Sequence, residues 1–332
     1  MINVNFREGI EGKRVVVTGG AGFIGSNLIE RLIASKCQIV VLDDFSSGTI
    51  ENLPKCSDQV RIIRGDVRNA SMVKKALNKS DLVFHLAEFI PNTAQGGPGH
   101  VIKFSAKKPI VDLNISVRGT INVLECAKEA GAKVVFSSTA AVYGESHEGA
   151  IDESMPLNPV SPYGASKSAA ELYCKVYSHT FGLPVTVVRF FNVYGPKQRK
   201  YLMHDVLMKL RQNPQALTIL GSGYQRRDFV FVRDVVDGLV LVADRAKFEC
   251  ETYNLGTGIA TSAREVVKCI TDILDLKPEI AYTGSSWKGD IKSLVADIGK
   301  IRSLGFSPKY SLQEGVKELV SWFDGVYGSR VS

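Results

Sequence analysis

The 332-residue sequence predicts an α/β protein in which a doubly wound parallel sheet is joined to a smaller C-terminal lobe. Three observations support this prediction. Short runs of β-branched residues alternate with helical stretches, a glycine-rich turn joins the first run to the first helix, and this rhythm changes after Phe191. Because parallel strands are connected by right-handed crossovers, such an alternation leaves little freedom in the topology.

The predicted strands are rich in valine and isoleucine, as expected for a sheet that is buried on both faces. In chain order they are Lys13–Val17, Gln38–Leu42, Val60–Arg64, Asp81–Leu86, Lys133–Ser137, Pro184–Phe190 and Thr252–Leu255. The helical stretches between them lie near Gly25–Ser35, Ala70–Leu77, Val111–Ala130 and Tyr163–Phe181.

After Phe191 the pattern indicates a second lobe, with helices near Tyr201–Arg211 and Ser262–Leu274 separated by loops and short strands. The segment Asp234–Leu255 is expected to return to the main sheet. The segment Glu88–Pro109 is rich in glycine and proline, which predicts a long irregular loop. Such a loop at the end of a strand is usually functional or mobile, and the alternative is a disordered surface insertion.

The composition is that of an ordinary globular protein, with 45% hydrophobic and 23% charged residues. No apolar run approaches the roughly 18 residues of a transmembrane helix. The first residues, Met1–Gly12, contain no apolar stretch of signal-peptide length. The sequence therefore predicts a cytoplasmic protein with no membrane association.

The cysteines and the net charge narrow the classes of partner. The six cysteines are scattered, with no CxxC pair and no histidine at metal-ligand spacing, so we expect reduced thiols and no metal site. The formal net charge of +7 permits anionic partners. However, Lys and Arg are dispersed rather than collected in a tract, and this pattern does not favour nucleic acid as a partner. A phosphorylated small ligand needs only a few of these charges.

The segment Thr18–Gly25 reads Thr-Gly-Gly-Ala-Gly-Phe-Ile-Gly between the first strand and the first helix. Glycines permit the tight turn, let the backbone approach a pyrophosphate and allow close packing of helix on strand. The free N–H groups at the helix start then face the phosphates. A lone glycine pattern could belong to any tight turn, but the strand before it and the helix after it are typical of a dinucleotide-binding Rossmann fold.

Asp43 follows the second strand, about 20 residues after the turn, where a carboxylate binds the ribose hydroxyls of adenosine. A carboxylate there also repels a 2′-phosphate, so the sequence favours NAD over NADP; the alternative is a loop aspartate that caps a turn. Asp66 follows the third strand and could cap a helix or contact the adenine. We therefore expect residues 12–190 and 230–258 to form the NAD-binding domain, and residues 191–229 and 259–330 the substrate-binding lobe.

Tyr163 and Lys167 lie four residues apart, so on a helix they share one face. A tyrosine with a pKa of about 10 is a poor base at neutral pH, but a nearby ammonium group favours the phenolate. Thr139, at the end of a strand, could hydrogen-bond the same substrate hydroxyl. In isolation a Tyr–Lys pair is usually a surface pair, whereas together with a dinucleotide turn it indicates a redox site.

At these residues the chain resembles an extended short-chain dehydrogenase/reductase of the NAD-dependent epimerase/dehydratase family, most closely its UDP-glucose 4-epimerase branch. The resemblance covers about Lys13 to Phe323. The motifs that carry it occur in the family's order and are Thr18–Gly25, Leu42–Asp44, Gly65–Val67, His85–Ala87, Ser137–Gly144, Ser161–Lys167, Arg189–Pro196 and Gln225–Phe229.

The resemblance implies a nucleotide-sugar 4-epimerase, an isomerase that works through a transient 4-keto sugar. Tyr163 would take the proton of the sugar 4-hydroxyl while hydride passes from C4 to NAD, and hydride would return on the other face of the sugar. Lys167 would bind the nicotinamide ribose and tune Tyr163, and Thr139 would contact the hydroxyl.

The resemblance also implies binding residues. Those for NAD are Gly19, Gly22, Phe23, Ile24, Gly25, Asp43, Asp44, Ser47, Gly48, Asp66, Val67, Leu86, Ala87, Tyr163 and Lys167. Those for the nucleotide sugar, most simply a UDP-hexose, are Thr139, Tyr163, Asn192, Thr218, Leu220, Arg227 and Asp290. For Arg227 a guanidinium suits a diphosphate, and the alternative is a surface arginine paired with Asp228.

Several residues depart from the family pattern. Ala140 and Ala141 stand where dehydratases and decarboxylases carry acidic residues, which argues against a 4,6-dehydratase. Glu88 replaces a small residue after Ala87, and Ser116 replaces a usual asparagine. Near Asp290 the phosphate-binding arginine is replaced by Trp287, with Lys288 displaced by one residue, and Leu294 replaces a bulky aromatic that narrows the sugar pocket in some relatives, so a 2-acetamido sugar could fit.

The sequence also leaves two alternative functions open and predicts an oligomeric state. Another nucleotide-sugar epimerase, reductase or dehydratase of the same family is the enzyme alternative, and a non-catalytic NAD-binding sensor or scaffold is the alternative of another class. The helices Val111–Ala130 and Tyr163–Phe181 resemble those of a four-helix dimer interface. They carry apolar residues on more than one face, among them Val117, Ile121, Val123 and Leu124, so we expect a homodimer.

Overall fold

The computed structural model describes residues 9–54, 58–88, 101–145, 149–284 and 293–328. The strands within these ranges are β1 (Arg14–Thr18), β2 (Gln38–Asp43), β3 (Val60–Arg64), β4 (Leu82–His85), β5 (Lys133–Thr139), β6 (Val185–Phe190), β7 (Asn192–Tyr194), β8 (Ala216–Ile219), β9 (Arg226–Phe231), β10 (Glu249–Leu255), β11 (Ala260–Ser262), β12 (Glu279–Tyr282) and β13 (Ser293–Leu294).

The helices are α1 (Phe23–Ala34), α2 (Ala70–Leu77), α3 (Val101–Lys107), α4 (Pro109–Leu113), α5 (Gly119–Ala130), α6 (Pro162–Phe181), α7 (Tyr201–Gln212), α8 (Val232–Arg245), α9 (Ala263–Ile273), α10 (Gly299–Ser303) and α11 (Leu312–Tyr327). Short 3₁₀ turns lie at Ile50–Asn52 and Ala140–Tyr143, and a π turn lies at Asn114–Arg118.

Seven parallel strands form the main sheet in the order β10, β6, β5, β4, β1, β2, β3. The strand order reverses between β1 and β4, which is the topological switch point at which α/β proteins bind ligands. Thr18 is level with Leu42 on β2 and with His85 on β4, so the residues that follow these strands meet at one edge. The predicted doubly wound parallel sheet is confirmed.

The run of valines in β1 shows how the sequence builds this sheet. Val15 and Val17 face one apolar cluster, Val16 faces the other, and all three are fully buried. Side chains alternate across a strand, so a continuous apolar run is what a sheet covered on both faces requires. Helices α1 and α8 pack on one face, and α2, α5 and α6 pack on the other.

The helical stretch predicted near Val111–Ala130 is confirmed. It begins earlier, at Pro109, where a proline suits the first helical position, and it contains the π turn between α4 and α5. One prediction in the first half is wrong. Part of the predicted irregular loop Glu88–Pro109 is the helix α3, which packs near the start of α6; residues 89–100 of that loop lie outside the described residues.

The second half forms smaller sheets, as the change of pattern after Phe191 predicts. Strand β9 pairs in parallel with β7 and β13 and antiparallel with β11, while β8 pairs with β12. Helices α9 and α11 each start in a capping box, made by Ser262 with Glu265 and by Ser311 with Glu314. The strand β10 returns to the main sheet.

The described residues contain free thiols but no membrane span and no metal cluster. No helix among them has the length and apolar character needed to cross a membrane. No cluster of three or more His, Cys, Asp or Glu side chains that could hold a metal ion occurs there either. Five cysteines are free thiols, as predicted, and Cys56 lies outside the described ranges.

Candidate active site

The carboxyl ends of β1, β2, β3 and β4 open into one cavity of about 220 Å³. Every residue predicted to bind the cofactor lines this cavity, from Asp43 and Asp66 at one end to Tyr163 and Lys167 at the other. The full set is Gly19, Gly22, Phe23, Ile24, Gly25, Asp43, Asp44, Ser47, Gly48, Asp66, Val67, Leu86, Ala87, Tyr163 and Lys167.

The glycine turn brings three chain segments into close contact. Gly19 has a positive φ of 69°, and a Cβ placed there would lie 2.8 Å from the backbone of Ala87. A Cβ on Gly25 would lie 2.3 Å from the Gly19 carbonyl oxygen. These positions therefore require glycine, because any side chain would push the helix or β4 away. Helix α1 begins at Phe23 directly beside the cavity, so its first N–H groups are placed to meet an anion.

Asp43 is buried, and both its oxygens accept backbone hydrogen bonds. Oδ2 accepts from the N–H of Ala21 and Oδ1 from the N–H of Phe45, each at 2.8 Å. Burial raises the pKa of this carboxyl, whereas these two hydrogen bonds lower it. The capping role and the ribose-binding role proposed for Asp43 are thus compatible, because each carboxylate oxygen has a second lone pair.

The two other acidic residues of this edge have local partners as well. Asp44 accepts from the backbone N–H and the hydroxyl of Ser46 at 2.8 and 2.6 Å. Asp66 accepts from the guanidinium of Arg68, which lowers the pKa of the carboxyl. Asp66 does not cap α2; Asn69 does, accepting from the first N–H groups of that helix.

This set of groups fits a dinucleotide. Backbone N–H groups at the start of α1 suit a diphosphate, and the carboxylate of Asp43 suits a ribose diol. The glycines Gly19, Gly22 and Gly25 present no side chain to the cavity, so backbone can approach a ligand there. The side chains of Tyr163 and Lys167 line the same cavity.

The predicted catalytic residues come together at the end of β5 and the start of α6. Thr139 ends β5 and caps the next turn, accepting a hydrogen bond from the N–H of Ala141 at 3.2 Å. Its hydroxyl is also hydrogen-bonded to Tyr163. Lys167 lies one turn along α6 and is buried, with its ammonium 4.8 Å from the centre of the Phe136 ring.

Two serines fix the start of α6. Ser161 caps the helix by accepting from the N–H of Gly164 at 3.1 Å, and Pro162 occupies the first helical position. Ser105 of α3 accepts from the N–H of Tyr163, also at 3.1 Å. Sequence analysis missed Ser105 because it assigned this segment to a loop.

The surroundings of Tyr163 hold its hydroxyl in the neutral form. Burial raises the pKa of Tyr163 well above 10, and the charge of Glu88 and the phenol of Tyr201 raise it further. The hydrogen bond with Thr139 acts in the opposite direction. A base at this position therefore depends on the positive charges that are brought close to it.

Glu88, noted above as a departure from the family pattern, contacts Lys167, which the sequence predicts to be catalytic. Its Oε2 lies 3.2 Å from Nζ of Lys167 and accepts a hydrogen bond from the hydroxyl of Ser116 at 2.8 Å. Both departures, Glu88 and Ser116, thus lie in one contact. Glu88 also lines the cavity.

A buried polar network next to the predicted catalytic residues was not predicted. Arg189 of β6 donates two hydrogen bonds to Glu171 of α6, at 3.0 and 2.6 Å, and a third at 2.8 Å to the hydroxyl of Tyr143. Tyr143 donates to the side-chain oxygen of Asn254 on β10, and Ser138 donates to Glu171. The signal in the sequence was the charged residue Arg189 within an apolar strand.

The segment after β7 also borders the cavity. Residues 197–201 line it, and Lys197 reaches across to the carboxylate of Glu30 at 2.7 Å and the carbonyl of Asn52 at 3.0 Å. Tyr201 begins α7 with a positive φ of 68°, a conformation that bulky side chains seldom adopt. The sequence offered only a weak signal, the position of this segment directly after the Arg189–Pro196 motif.

The residues predicted to bind the substrate are more dispersed. Asn192, Thr218 and Arg227 lie on β7, β8 and β9, outside the cavity, and Leu220 follows β8 with 63% of its surface exposed. Asp290 lies outside the described residues, as do Trp287 and Lys288.

Asp228, next to Arg227, has partners on other loops. It is fully buried and accepts from the N–H groups of Thr257, Gly258 and Ala296 and from the Thr257 hydroxyl. Successive residues of a strand point to opposite faces, so Arg227 is directed away from this cluster. Asp228 thus holds the loops around β9 together.

Comparison with known proteins agrees with this geometry. A family model described as the NAD dependent epimerase/dehydratase family matches residues 15–256. The UDP-glucose 4-epimerase of Mycolicibacterium smegmatis is 34% identical over 323 residues, which is 93% of this chain and 98% of the relative. The dTDP-D-glucose 4,6-dehydratase of Mus musculus is 32% identical over 326 residues, covering 94% and 88% of the two chains.

Solved structures give the same result for the fold. A UDP-glucose 4-epimerase of Thermotoga maritima with UDP-glucose superposes with a TM-score of 0.85 at 31% identity, covering 95% of this chain and 99% of the other. A UDP-N-acetylglucosamine 4-epimerase of Methanobrevibacter ruminantium, in complex with UDP-N-acetylmuramic acid, gives a TM-score of 0.87 at 30% identity, with coverage of 96% and 100%.

Proposed function

The chain belongs to the NAD dependent epimerase/dehydratase family, and we propose that within it the protein is a nucleotide-sugar 4-epimerase acting on a UDP-hexose. It is an enzyme, and NAD is its cofactor. Its family includes both epimerases and dehydratases, so the choice between them depends on the residues of the site.

One observation carries the proposal. Tyr163 and Lys167 line the cavity and Thr139 is hydrogen-bonded to Tyr163, while the 3₁₀ turn after Thr139 begins with Ala140 and Ala141. A dehydratase needs an acid and a base beside the sugar to eliminate water, and alanines supply neither. The nearby carboxylate of Glu88 is engaged by Lys167 and Ser116. The site thus has the groups for reversible oxidation of an alcohol.

The chain's own residues then act as follows. Tyr163 accepts the proton of the sugar hydroxyl and returns it when the alcohol is formed again. Lys167 brings a positive charge near the phenol and favours its ionised form. Thr139 orients the hydroxyl that reacts. NAD, when bound, supplies the acceptor and donor of hydride, and the start of α1 with Asp43 would hold it.

For the substrate, we propose that Arg227 and Asn192 bind the diphosphate and that Thr218 and Leu220 flank the nucleotide. A guanidinium binds phosphate oxygens bidentately, which supports Arg227 in this role. The relative solved with UDP-glucose supports a UDP-hexose as the substrate class.

The position of Leu294 bears on which sugar is accepted. This residue is buried on β13, paired with Arg227 on β9. A leucine occupies less space than a large aromatic side chain, so we propose that 2-acetamido sugars are accepted as well. The relative that epimerises UDP-N-acetylglucosamine supports this extension.

Product analysis tests the proposal. The purified protein would be incubated with UDP-glucose, UDP-galactose, their N-acetyl forms and UDP-glucuronate, and the sugar nucleotides separated. We expect interconversion of the 4-epimers without net formation of NADH. Net NADH consumption would indicate a reductase, and a 4-keto-6-deoxy product would indicate a dehydratase. If the protein binds NAD but turns over neither these UDP-sugars nor sugars linked to other nucleotides, the result would indicate a sensor.

We also propose that the protein forms a homodimer through α6. This helix exposes Leu172, Tyr173 and Val176 on its outer face, and Ile110 and Leu113 of α4 are exposed too. Contiguous exposed apolar residues favour association. Of the residues first expected to contribute, Val123 and Leu124 are fully buried within the monomer core and are not available for this contact.

A further inference from the structure

Glu88 is a buried carboxylate that faces the catalytic residues. The exposed fraction of its side chain is 9%, and that of Lys167 is 3%. Its Oε2 contacts Nζ of Lys167 at 3.2 Å and accepts the hydroxyl hydrogen of Ser116 at 2.8 Å. A single carboxylate oxygen therefore holds the lysine from one side and is itself held from the other.

The charged and titratable groups around this contact come from each element packed against it. Helix α6 presents Tyr163 and Lys167, α4 presents Asp112, and α7 presents Tyr201. Glu88 acts on Tyr163, Asp112 and Tyr201 through its negative charge. Lys167 is the cation among these residues. Because the carboxylate of Glu88 contacts its ammonium, Glu88 reduces the positive charge that acts on the phenol of Tyr163.

We propose that Glu88 is a positioning residue for the proton transfer, acting through Lys167, with Ser116 fixing its carboxylate. The proposal rests on the proposed function, because it concerns the base of that reaction. Without Glu88 the ammonium of Lys167 would act on the phenol unopposed. With Glu88 in place, the ammonium is held at one point of the cavity and its charge is offset there.

The physical reason is the short range of these interactions in a buried site. An opposite charge within about 4–6 Å of an ionisable group shifts its pKa by about 1–3 units. Glu88 raises the pKa of Tyr163, second only to burial. Removing its charge should lower that pKa, because a repulsive anion is lost and the ammonium of Lys167 loses the carboxylate that it contacts.

The test measures the tyrosine itself rather than turnover. Protein labelled at the tyrosine ζ-carbon would be titrated by NMR with NAD present at saturation, and Tyr163→Phe would identify the resonance. In Glu88→Gln we expect the titration midpoint of Tyr163 to fall by about one pH unit or more. Glu88→Asp, which keeps the charge, should stay closer to the wild type.

Glu153→Gln is the matched control. Glu153 is another partly buried carboxylate, it accepts the N–H of Asn254, and it does not line the cavity. An unchanged midpoint in Glu88→Gln, or an equal shift in Glu153→Gln, would overturn the proposal. If the wild-type residue does not titrate below about pH 10.5 but the Glu88→Gln residue does, the result supports it.

Two arrangements keep the outcome clear. If Glu88→Gln fails to fold, Ser116→Ala loosens the same carboxylate, and it should shift the midpoint in the same direction by a smaller amount; no shift would contradict the proposal. The pH profile of UDP-glucose turnover is a separate measurement, whose acid limb should move to lower pH in Glu88→Gln. If the wild-type protein does not turn over the UDP-sugars but the titration midpoint of Tyr163 shifts in Glu88→Gln, the proposed function is refuted. The effect of Glu88 on the charge at Tyr163 is then still supported.

Discussion

Helix α6 carries two buried ion pairs on one face. One lies at the cavity and has a single contact, whereas the other lies in the core and has two hydrogen bonds. Tyr163, Lys167 and Glu171 follow one another at four-residue intervals and so share a face of the helix. Lys167 pairs with Glu88 through one contact of 3.2 Å at the cavity. One turn further on, Glu171 pairs with Arg189 through two hydrogen bonds in the core.

The second pair is saturated. Both oxygens of Glu171 are engaged by Arg189, Ser138 adds a third donor, and Arg189 continues to Tyr143 and Asn254. This network joins β5, β6, β10 and α6, and so fixes the strand end that carries Thr139. The Lys167 contact has no such bidentate geometry. A lysine with three donors on a flexible stem can exchange partners, whereas a paired guanidinium is held in place.

We call the part of α6 that carries Tyr163 and Lys167 the cavity end, and the part that carries Glu171 the core end. The largest effect that we predict is at the cavity end. Tyr163→Phe removes only the hydroxyl, so turnover should fall by about 10²- to 10⁴-fold while the fold and NAD affinity stay nearly unchanged. Measuring 4-epimer interconversion beside NAD titration checks this. Retained activity would exclude Tyr163 as the base.

At the core end we predict a loss of stability. Glu171→Gln leaves the buried Arg189 without its anionic partner, which should lower the free energy of unfolding by about 3–5 kcal/mol. Denaturant unfolding of this variant and of Glu88→Gln measures the difference. Equal losses in the two variants would show that both pairs are structural, against the distinction drawn above.

Acid should lower the free energy of unfolding through His85, the last residue of β4. Its ring lies between the hydroxyls of Thr18 at 2.7 Å and Thr120 at 3.1 Å. Burial, and then the charge of Lys167, lower its pKa from 6.5 to about 3. The folded protein therefore binds fewer protons than the unfolded chain, so this stability is complete above pH 6.5 and is lost as the pH falls toward 3.

The slope of this loss can be measured. Unfolding free energies at pH 7, 6 and 5 should decrease by up to about 1.4 kcal/mol per pH unit for each such histidine. In His85→Asn the decrease should be shallower. His204, whose pKa burial lowers to about 4, contributes in both proteins and serves as the internal reference. An identical slope would show that His85 is protonated without cost.

The smallest effect on monomer stability is predicted for the outer face of α6. Leu172→Glu together with Val176→Glu places charges in the exposed apolar patch, so the mass in sedimentation should fall from dimer to monomer while the fold is kept. Lys175→Glu, on the same exposed surface, is the control. A wild-type monomer, or a dimer that survives the double change, would refute the proposed interface.

The sequence predicted the cavity end far better than the core end. Strand ends and a glycine turn are local features, and they predicted the turn Thr18–Gly25 and Asp43. The family resemblance supplied most of the other predicted cofactor residues, and residues 197–201, which also line the cavity, were not predicted. The Arg189–Glu171 network joins residues from four separate elements, and its partners become neighbours only in the fold. Glu88 and Ser116 were recognised as unusual, but the contact of Glu88 with Lys167 and Ser116 depends on how the end of β4 and the π turn pack against α6.

The substrate side was predicted least well. Asn192, Thr218 and Arg227 lie on three different strands of small sheets, and no local pattern fixes how these strands meet. The division of the chain into an NAD-binding domain and a substrate-binding lobe stays a prediction. The effect of Leu294 on the choice of sugar could not be predicted from local sequence either, because it depends on neighbours that come from distant parts of the chain.

The most direct test of the 4-epimerase assignment uses UDP-glucose labelled with deuterium at C4 of the sugar. The account predicts that UDP-galactose forms with the deuterium still at C4, because hydrogen leaves and returns to the same carbon, and that Tyr163→Phe forms none. Deuterium found at C6 of a dehydrated product, or lost from the sugar into reduced cofactor, would contradict it.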